Sequence, residues 1–285
     1  MSTAITLALL SLAAAGVLDV SFKRYSRKAR SRGTYLAICG AVWGVLQLGY
    51  YFAYDIGTSF DANTIWFGTS AGLCLAMANL TFIESLGHLN VSVGSTIYRL
   101  NTVGVVILSV LLLGEPIGIF KVLGLLVAIV AVWMLYDSPV GKEVYEKIAV
   151  FLWLAILASA LRAVFGVVAK AGLNAGVNAE TVLLIYAVSW IPAGLIYGIL
   201  RERDIKLSKE NIAYGTASGI ILCLVANFII GAMKLGDVST VVPIANMSFI
   251  VALVISVILG MEKLTWRKSQ AVFLAGVAIY FFAQT

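Results

Sequence analysis

The chain has 285 residues, of which 61% are hydrophobic and only 12% charged, with a formal net charge of +6. A soluble domain carries about twice that share of charge, so the composition excludes a water-soluble fold and points to burial in lipid. The basic surplus falls in the breaks between apolar runs, where it records membrane orientation rather than a nucleic-acid surface.

The first apolar run, residues 3–22, has no basic residue ahead of it and Lys23, Arg24, Arg27, Lys28, Arg30 and Arg32 behind it. A secretory signal has the opposite polarity, so this run is expected to be retained as a span. Further apolar runs follow at 34–54, 63–83, 90–113 and 117–136. After a polar linker come 148–170, 179–200, 212–232, 238–260 and 265–283. A hydrocarbon core of about 30 Å needs roughly 20 helical residues, which makes ten spans. Their continuous apolarity predicts helices, because barrel strands alternate. Cys39, Cys74 and Cys223 lie inside these runs without metal-ligand spacing and read as small core residues.

A constant offset of 147 places Ser92 on Ser239, Ile97 on Ile244, Ser109 on Ser256, Glu115 on Glu262 and Lys121 on Lys268. Lys23 and Lys170, Thr34 and Thr181, Trp43 and Trp190, and Tyr50 and Tyr197 pair at the same offset. Gly68 and Gly72 match Gly215 and Gly219, at a spacing that lets helix backbones approach closely in lipid. Apolar helices match cheaply in Leu and Val; matching Trp, Glu, Lys and Gly does not come by chance. The chain therefore reads as a tandem duplication: a five-helix repeat over 1–137, a linker over 138–147 and a second five-helix repeat over 148–285. Five is odd, so the second repeat inserts upside-down, the inverted-repeat plan of many secondary transporters. Call the side of the first connection A and the other B. Side A holds fifteen basic loop residues and side B three. Side A is expected to be cytoplasmic, the protein to lie in the cell membrane, and both termini to face outward.

Charge deep in a membrane segment is costly and normally faces a cavity or a partner. Asp19, Arg99 and Arg162 qualify, with Arg99 about 14 Å and Arg162 about 21 Å from side A and Asp19 shallower. Neither arginine is repeated: Arg99 stands opposite Asn246, and Arg162 opposite Ala15. A guanidinium presents a planar donor fork suited to carboxylate or phosphate, so Arg99 and Arg162 are candidate substrate-binding residues. The competing reading is a structural pair in which Asp19 neutralises one of them. Asp19 is also the candidate proton carrier of a coupled cycle. Tyr98, Asn101, Asn246, Asn227 and Asn79 lie at similar depth, where interhelical hydrogen bonding competes with substrate contact. Trp43 and Trp190 are expected either to pack the core or to wall a ring-binding site. His88 reads as a loop residue, and Glu115 and Glu262 as helix-boundary residues.

The stretch Ala232–Phe282 carries Pro243, the break Gly260-Met261-Glu262 and a glycine-rich closing helix, with Gly114-Glu115 as the earlier counterpart of the break. It resembles the drug/metabolite transporter superfamily, in its EamA-like branch. The resemblance implies ten-helix secondary carriers, mostly exporters of amino acids, metabolites or drugs, with relatives that carry nucleotide sugars and organic phosphates. Two features depart from that pattern: bacterial members usually keep both termini in the cytoplasm, and Pro243 faces Thr96 in the first repeat. No Walker A loop, metal cluster or Ser-His-Asp set occurs, so the expectation is a carrier without cofactor, metal or enzyme activity. Its expected partners are the bilayer, a small anionic or zwitterionic metabolite and a coupling proton. A proton-coupled exporter of cationic drugs and a non-transporting channel or assembly component are the alternatives.

Overall fold

The computed structural model describes residues 2–26, 28, 30–86, 89, 97–134, 145–203, 207–261 and 263–285, the side chains of 145–148 excepted. His88, Glu262 and most of the expected linker lie outside the described residues. The helices are α1 (Thr3–Ser26), α2 (Arg32–Ala53), α3 (Ala62–Leu86), α4 (Asn101–Leu113), α5 (Ile119–Met134) and α6 (Tyr145–Asn174). They continue with α7 (Ala179–Tyr197), α8 (Lys209–Leu235), α9 (Val238–Asn246), α10 (Phe249–Ile258) and α11 (Trp266–Phe282). Among the described residues there is no strand.

Seven helices are long and apolar enough to cross a membrane, taking α9 and α10 together as the span Val238–Ile258. Two shorter apolar helices, Ile97–Leu113 and Ile119–Met134, and the 17-residue α11 account for the other three spans. The result is an all-α, multi-span membrane fold. Large apolar side chains such as Leu111, Ile258 and Phe273 point outward, as a lipid-facing surface requires. The first span runs four residues past its expected end at Phe22, so Lys23 and Arg24 belong to the last turn of α1. Cations are well placed there, at the negative end of the helix dipole.

The duplication extends to the caps. Ser31 accepts from the backbone N–H of Thr34 at the start of α2, and Asn178, 147 residues on, accepts from Thr181 at the start of α7. Asp61 and Ser208 cap α3 and α8 in the same way, through Thr64 and Asn211. Each satisfies an amide that the first helical turn leaves without an internal partner. The bonds from Thr64 hold the Asp61 carboxyl below the usual carboxylate range.

Packing follows the same exchange. α3 packs on α6 as α8 packs on α1, α2 on α8 as α7 on α3, and α4 on α6 as α9 and α10 on α1. α2 with α7, and α5 with α11, pair across the pseudo-twofold axis itself. At the α2–α7 crossing Gly33 and Gly194 face each other so closely that a Cβ on either would lie 2.5 Å from the other's carbonyl oxygen. Small residues give this contact its closeness.

The fourth and ninth spans are both interrupted. Leu100 N–H bonds to Ile97 O and Val103 N–H to Leu100 O; Met247 N–H bonds to Ile244 O and Ile250 N–H to Met247 O. These are i→i−3 bonds at equivalent positions, 147 apart, and they turn one continuous apolar run into two pieces. Irregular backbone at membrane depth is tolerated where it is enclosed by protein or lines a cavity.

Candidate functional site

The broken spans border a cavity of about 390 Å³ between α1, α3, α6, α8 and α10. It reaches Lys23 at the end of α1, Leu86 at the end of α3 and Lys268 at the start of α11, all at side A. Its deepest residues toward side B are Gly166, Met233 and Val242. Much of the wall comes in repeat-related pairs, including Leu75 with Leu222, Phe82 with Ile229 and Leu86 with Met233, so the cavity straddles the pseudo-twofold axis. The polar residues break that pairing. Arg162 faces its counterpart Ala15, Asp19 faces Gly166, and Asn79 faces Ala226 across the same space.

Of the sequence-derived candidates, Asp19, Trp43, Asn79, Tyr98, Arg99, Arg162 and Asn246 line the cavity, whereas Asn101, Asn227 and Trp190 do not. Arg99 is 9% exposed and makes three hydrogen bonds. One Nη2 proton goes to Asp19 Oδ2 at 2.6 Å, and Nη1 donates to Asn246 O and to Ser248 Oγ. The Ser248 hydroxyl in turn donates to Asp19 Oδ2 at 2.9 Å. The guanidinium also lies over the Phe249 ring, 5.2 Å from its centroid. Asn246 O is freed by the break after α9, and a cation at that helix C-terminus is favourable. Both bonds to Asp19 fall on Oδ2; the side chain is 29% exposed.

Arg162 stands differently. Among the described residues it has no carboxylate or hydrogen-bond partner, only the face of Phe165, 5.2 Å from its guanidinium carbon. Tyr98, stacked on Phe82 at 4.1 Å, is within electrostatic reach of Arg162, Asp19 and Arg99. Asn79 spends its amide N–H on Leu75 O, leaving its amide oxygen to accept.

The three residues away from the cavity have identifiable duties. Asn101 joins the breaks: its Nδ2 donates to Tyr98 O, and its Oδ1 accepts from Asn246 Nδ2 at 2.6 Å. Asn227 exchanges hydrogen bonds with Gln47, which also bonds Trp43 Nε1 and Tyr51. Trp190 packs edge-on against Trp43, is fully buried, and its Nε1 has no hydrogen-bond partner among the described residues. Depth along a helix set the expectation for these three; the face of the helix decides otherwise. Ser248 and Gln47 were not singled out by sequence, since a lone Ser or Gln in an apolar run carries no signal of a network. Among the described residues no group of three His, Cys, Asp or Glu could hold a metal ion.

Residues 2–137 match the EamA-like transporter family. The first half of the chain is an EamA-like transporter domain. Members of that family are membrane transporters of the drug/metabolite superfamily, and the fold described above is the multi-span architecture they require. The EamA-like match ends at residue 137, and the second half carries equivalent helices, caps and a broken span at the constant offset. A solved structure described as "Crystal structure of protein" superposes on the chain with a TM-score of 0.80 at 16% identity, covering 98% of each chain; at that identity the likeness shows the fold. Among curated proteins none matches.

Proposed function

We propose that this EamA-like chain is a secondary carrier of a small anionic or zwitterionic metabolite, working by alternating access around the central cavity. Arg162 carries the reading: a guanidinium lining an enclosed space without a carboxylate partner among the described residues supplies what a substrate carboxylate or phosphate needs. Arg99 is neutralised by Asp19 and holds the broken spans together, so the substrate charge falls to Arg162. Asp19 Oδ1 and the amide oxygen of Asn79 offer acceptors for an ammonium group on a zwitterion. Asp19 is the one carboxylate lining the cavity among the described residues, which makes it the candidate for a coupling proton. Phe82, Tyr98, Phe165 and Phe249 give the substrate body an aromatic wall.

On this reading residues 1–137 and 148–285 are the moving halves and 138–147 their linker. The basic side A is cytoplasmic, both termini face outward, and the cavity is open to the cytoplasm as an exporter loading its substrate would be.

Purified wild type and Arg162→Ala are melted with a panel of organic acids, amino acids and organic cations. A ligand at 100 times its Kd stabilises by about 2.7 kcal/mol, a shift readily measured. Anions or amino acids stabilise wild type and not Arg162→Ala. Stabilisation of both proteins alike by cations sinks the proposal in favour of a cation exporter. Saturable counterflow in proteoliposomes separates a carrier from a channel or assembly component.

A further inference from the structure

The side-B end of the cavity is closed by charge. Lys170, in the last two turns of α6, donates from Nζ to Met233 O at 2.7 Å and to Gly236 O at 2.9 Å, holding the end of α8. Glu115, just past α4, accepts from the backbone N–H groups of Val238 at 2.8 Å and Ser239 at 2.9 Å, and from the Ser239 hydroxyl, holding the start of α9. Lys121 of α5 donates to Asp237 Oδ2 at 2.7 Å, to Ser239 Oγ at 2.9 Å and to Pro116 O at 3.0 Å. The turn between α8 and α9 is thus clamped at its carbonyl end by a cation, at its amide end by an anion, and at its apex by an ion pair. Glu115 is 8% exposed and Lys121 3%. Buried charges of this kind are retained only with partners this complete.

The clamp lies one helical turn beyond the cavity floor. Gly166 precedes Lys170 by four residues, Val242 follows Ser239 by three, and Met233 belongs to both sets. At 1.5 Å per residue the first two intervals are about 4.5–6 Å, and at Met233 cavity and clamp adjoin. The repeat counterparts of the two clamp lysines, Lys23 for Lys170 and Lys268 for Lys121, line the cavity toward side A.

We infer that Glu115, Lys121, Lys170 and Asp237 form the side-B gate, and that access to side B requires the Lys121–Asp237 pair and the bonds around it to separate. Lys121 and Asp237 set the equilibrium between the two openings; Arg162 holds cargo and takes no part in the clamp. The inference needs no knowledge of the substrate, so it stands or falls separately from the assignment of Arg162.

The test places a cysteine at the cavity floor, Val242→Cys, in full-length protein in sealed vesicles. A membrane-impermeant maleimide is added from side B, and the rate is corrected for labelling of the parent chain with Cys39, Cys74 and Cys223. Adding Lys121→Ala or Asp237→Asn raises the side-B labelling rate at position 242 at least tenfold. Lys234→Ala, which breaks the exposed pair Lys234–Glu180 on the same side, leaves it unchanged. The exchange Lys121→Asp with Asp237→Lys brings the rate back toward the parent value. An unchanged rate in folded Asp237→Asn overturns the gate, as does an equal rise in Lys234→Ala. Where Lys121→Ala fails to fold, Asp237→Asn decides alone, because it keeps the volume and the other two acceptors of Lys121.

Discussion

Arg99 and Asn246 occupy the same position in the two halves, 147 residues apart, and the guanidinium of the first donates to the backbone carbonyl of the second. Each sits immediately before a break in its span, at Leu100 and at Met247. Two carbonyl-rich turns thus meet near the axis, and one positive charge with Asp19 beside it joins them. The pair is a structural rivet as much as an electrostatic feature.

Removing both sides of that rivet costs less than removing each side separately adds up to. Arg99→Ala leaves Asp19 without its cation and Asn246 O without a donor; a loss of about 1–3 kcal/mol is expected, moderated because Asp19 opens partly to the cavity. Asp19→Asn with Arg99→Gln costs less than the sum of the two single changes. A double-mutant cycle on unfolding in detergent measures the coupling, and additivity to within a few tenths of a kcal/mol contradicts it.

Arg162 behaves in the opposite way. With no carboxylate or hydrogen-bond partner among the described residues to lose, Arg162→Gln leaves the melting temperature without ligand within about 2 °C of wild type, a surface-like effect in the sense of a substitution outside any network. Arg162→Lys keeps the charge and loses the fork, so it retains binding of a monovalent anion with about tenfold weaker affinity. Isothermal titration with the ligand identified by melting checks both.

The α2–α7 crossing has no room. Gly33→Ala places a methyl 2.5 Å from Gly194 O and must push the helices apart, a cost of about 1–3 kcal/mol. Gly49→Ala on the same helix meets nothing within 4 Å and is neutral or slightly stabilising. The difference in melting temperature between the two variants measures the closeness of the seam.

Trp43 and Trp190 match in sequence and touch in space, yet among the described residues only Trp43 Nε1 has an acceptor, Gln47 Oε1. Trp43→Phe breaks a buried hydrogen bond and leaves Gln47 Oε1 with Asn227 as its amide donor. Trp190→Phe removes an N–H that is already unsatisfied. The first change therefore costs about 1 kcal/mol more than the second, read from chemical denaturation of the two variants.

The equivalent caps Asp61 and Ser208 differ in acid. The Asp61 carboxyl is held below its ordinary range by Thr64, so its contribution is complete above the unfolded value and is lost as pH falls through the lower, folded one. Protection of the Thr64 amide against hydrogen exchange drops at acid pH, while that of Asn211, capped by a hydroxyl, does not. Asp61→Ser abolishes the contrast; a drop that persists in that variant rules the cap out as its cause.

The spans were legible because length and apolarity are properties of single segments. The duplication was legible because matched Trp, Glu and Lys survive at a constant offset. Depth also marked Asp19, Arg99 and Arg162, which the fold brings to one cavity. The breaks were hidden. Leu100, Met247 and Ser248 are ordinary membrane residues, and Pro243, the one helix-breaking signal nearby, lies in the interior of α9 with Thr96 as its counterpart. Trp190, Asn227 and Asn101 share the depth of the cavity residues and miss it because they point along another face, which packing between distant helices decides. Whether Asp19 pairs with Arg99 or Arg162 depends on the same packing.

Arg162 and Ala15 are related by an axis that lies in the plane of the membrane and passes through the cavity. A rotation about such an axis reverses depth. The exchange Ala15→Arg with Arg162→Ala therefore moves the positive charge from one level to its mirror level, in a wall whose apolar part is largely paired. On the proposed reading of Arg162 as the anchor, a cargo gripped at one end in the native protein is turned end for end in the exchanged one, its body pointing back toward the door through which it came.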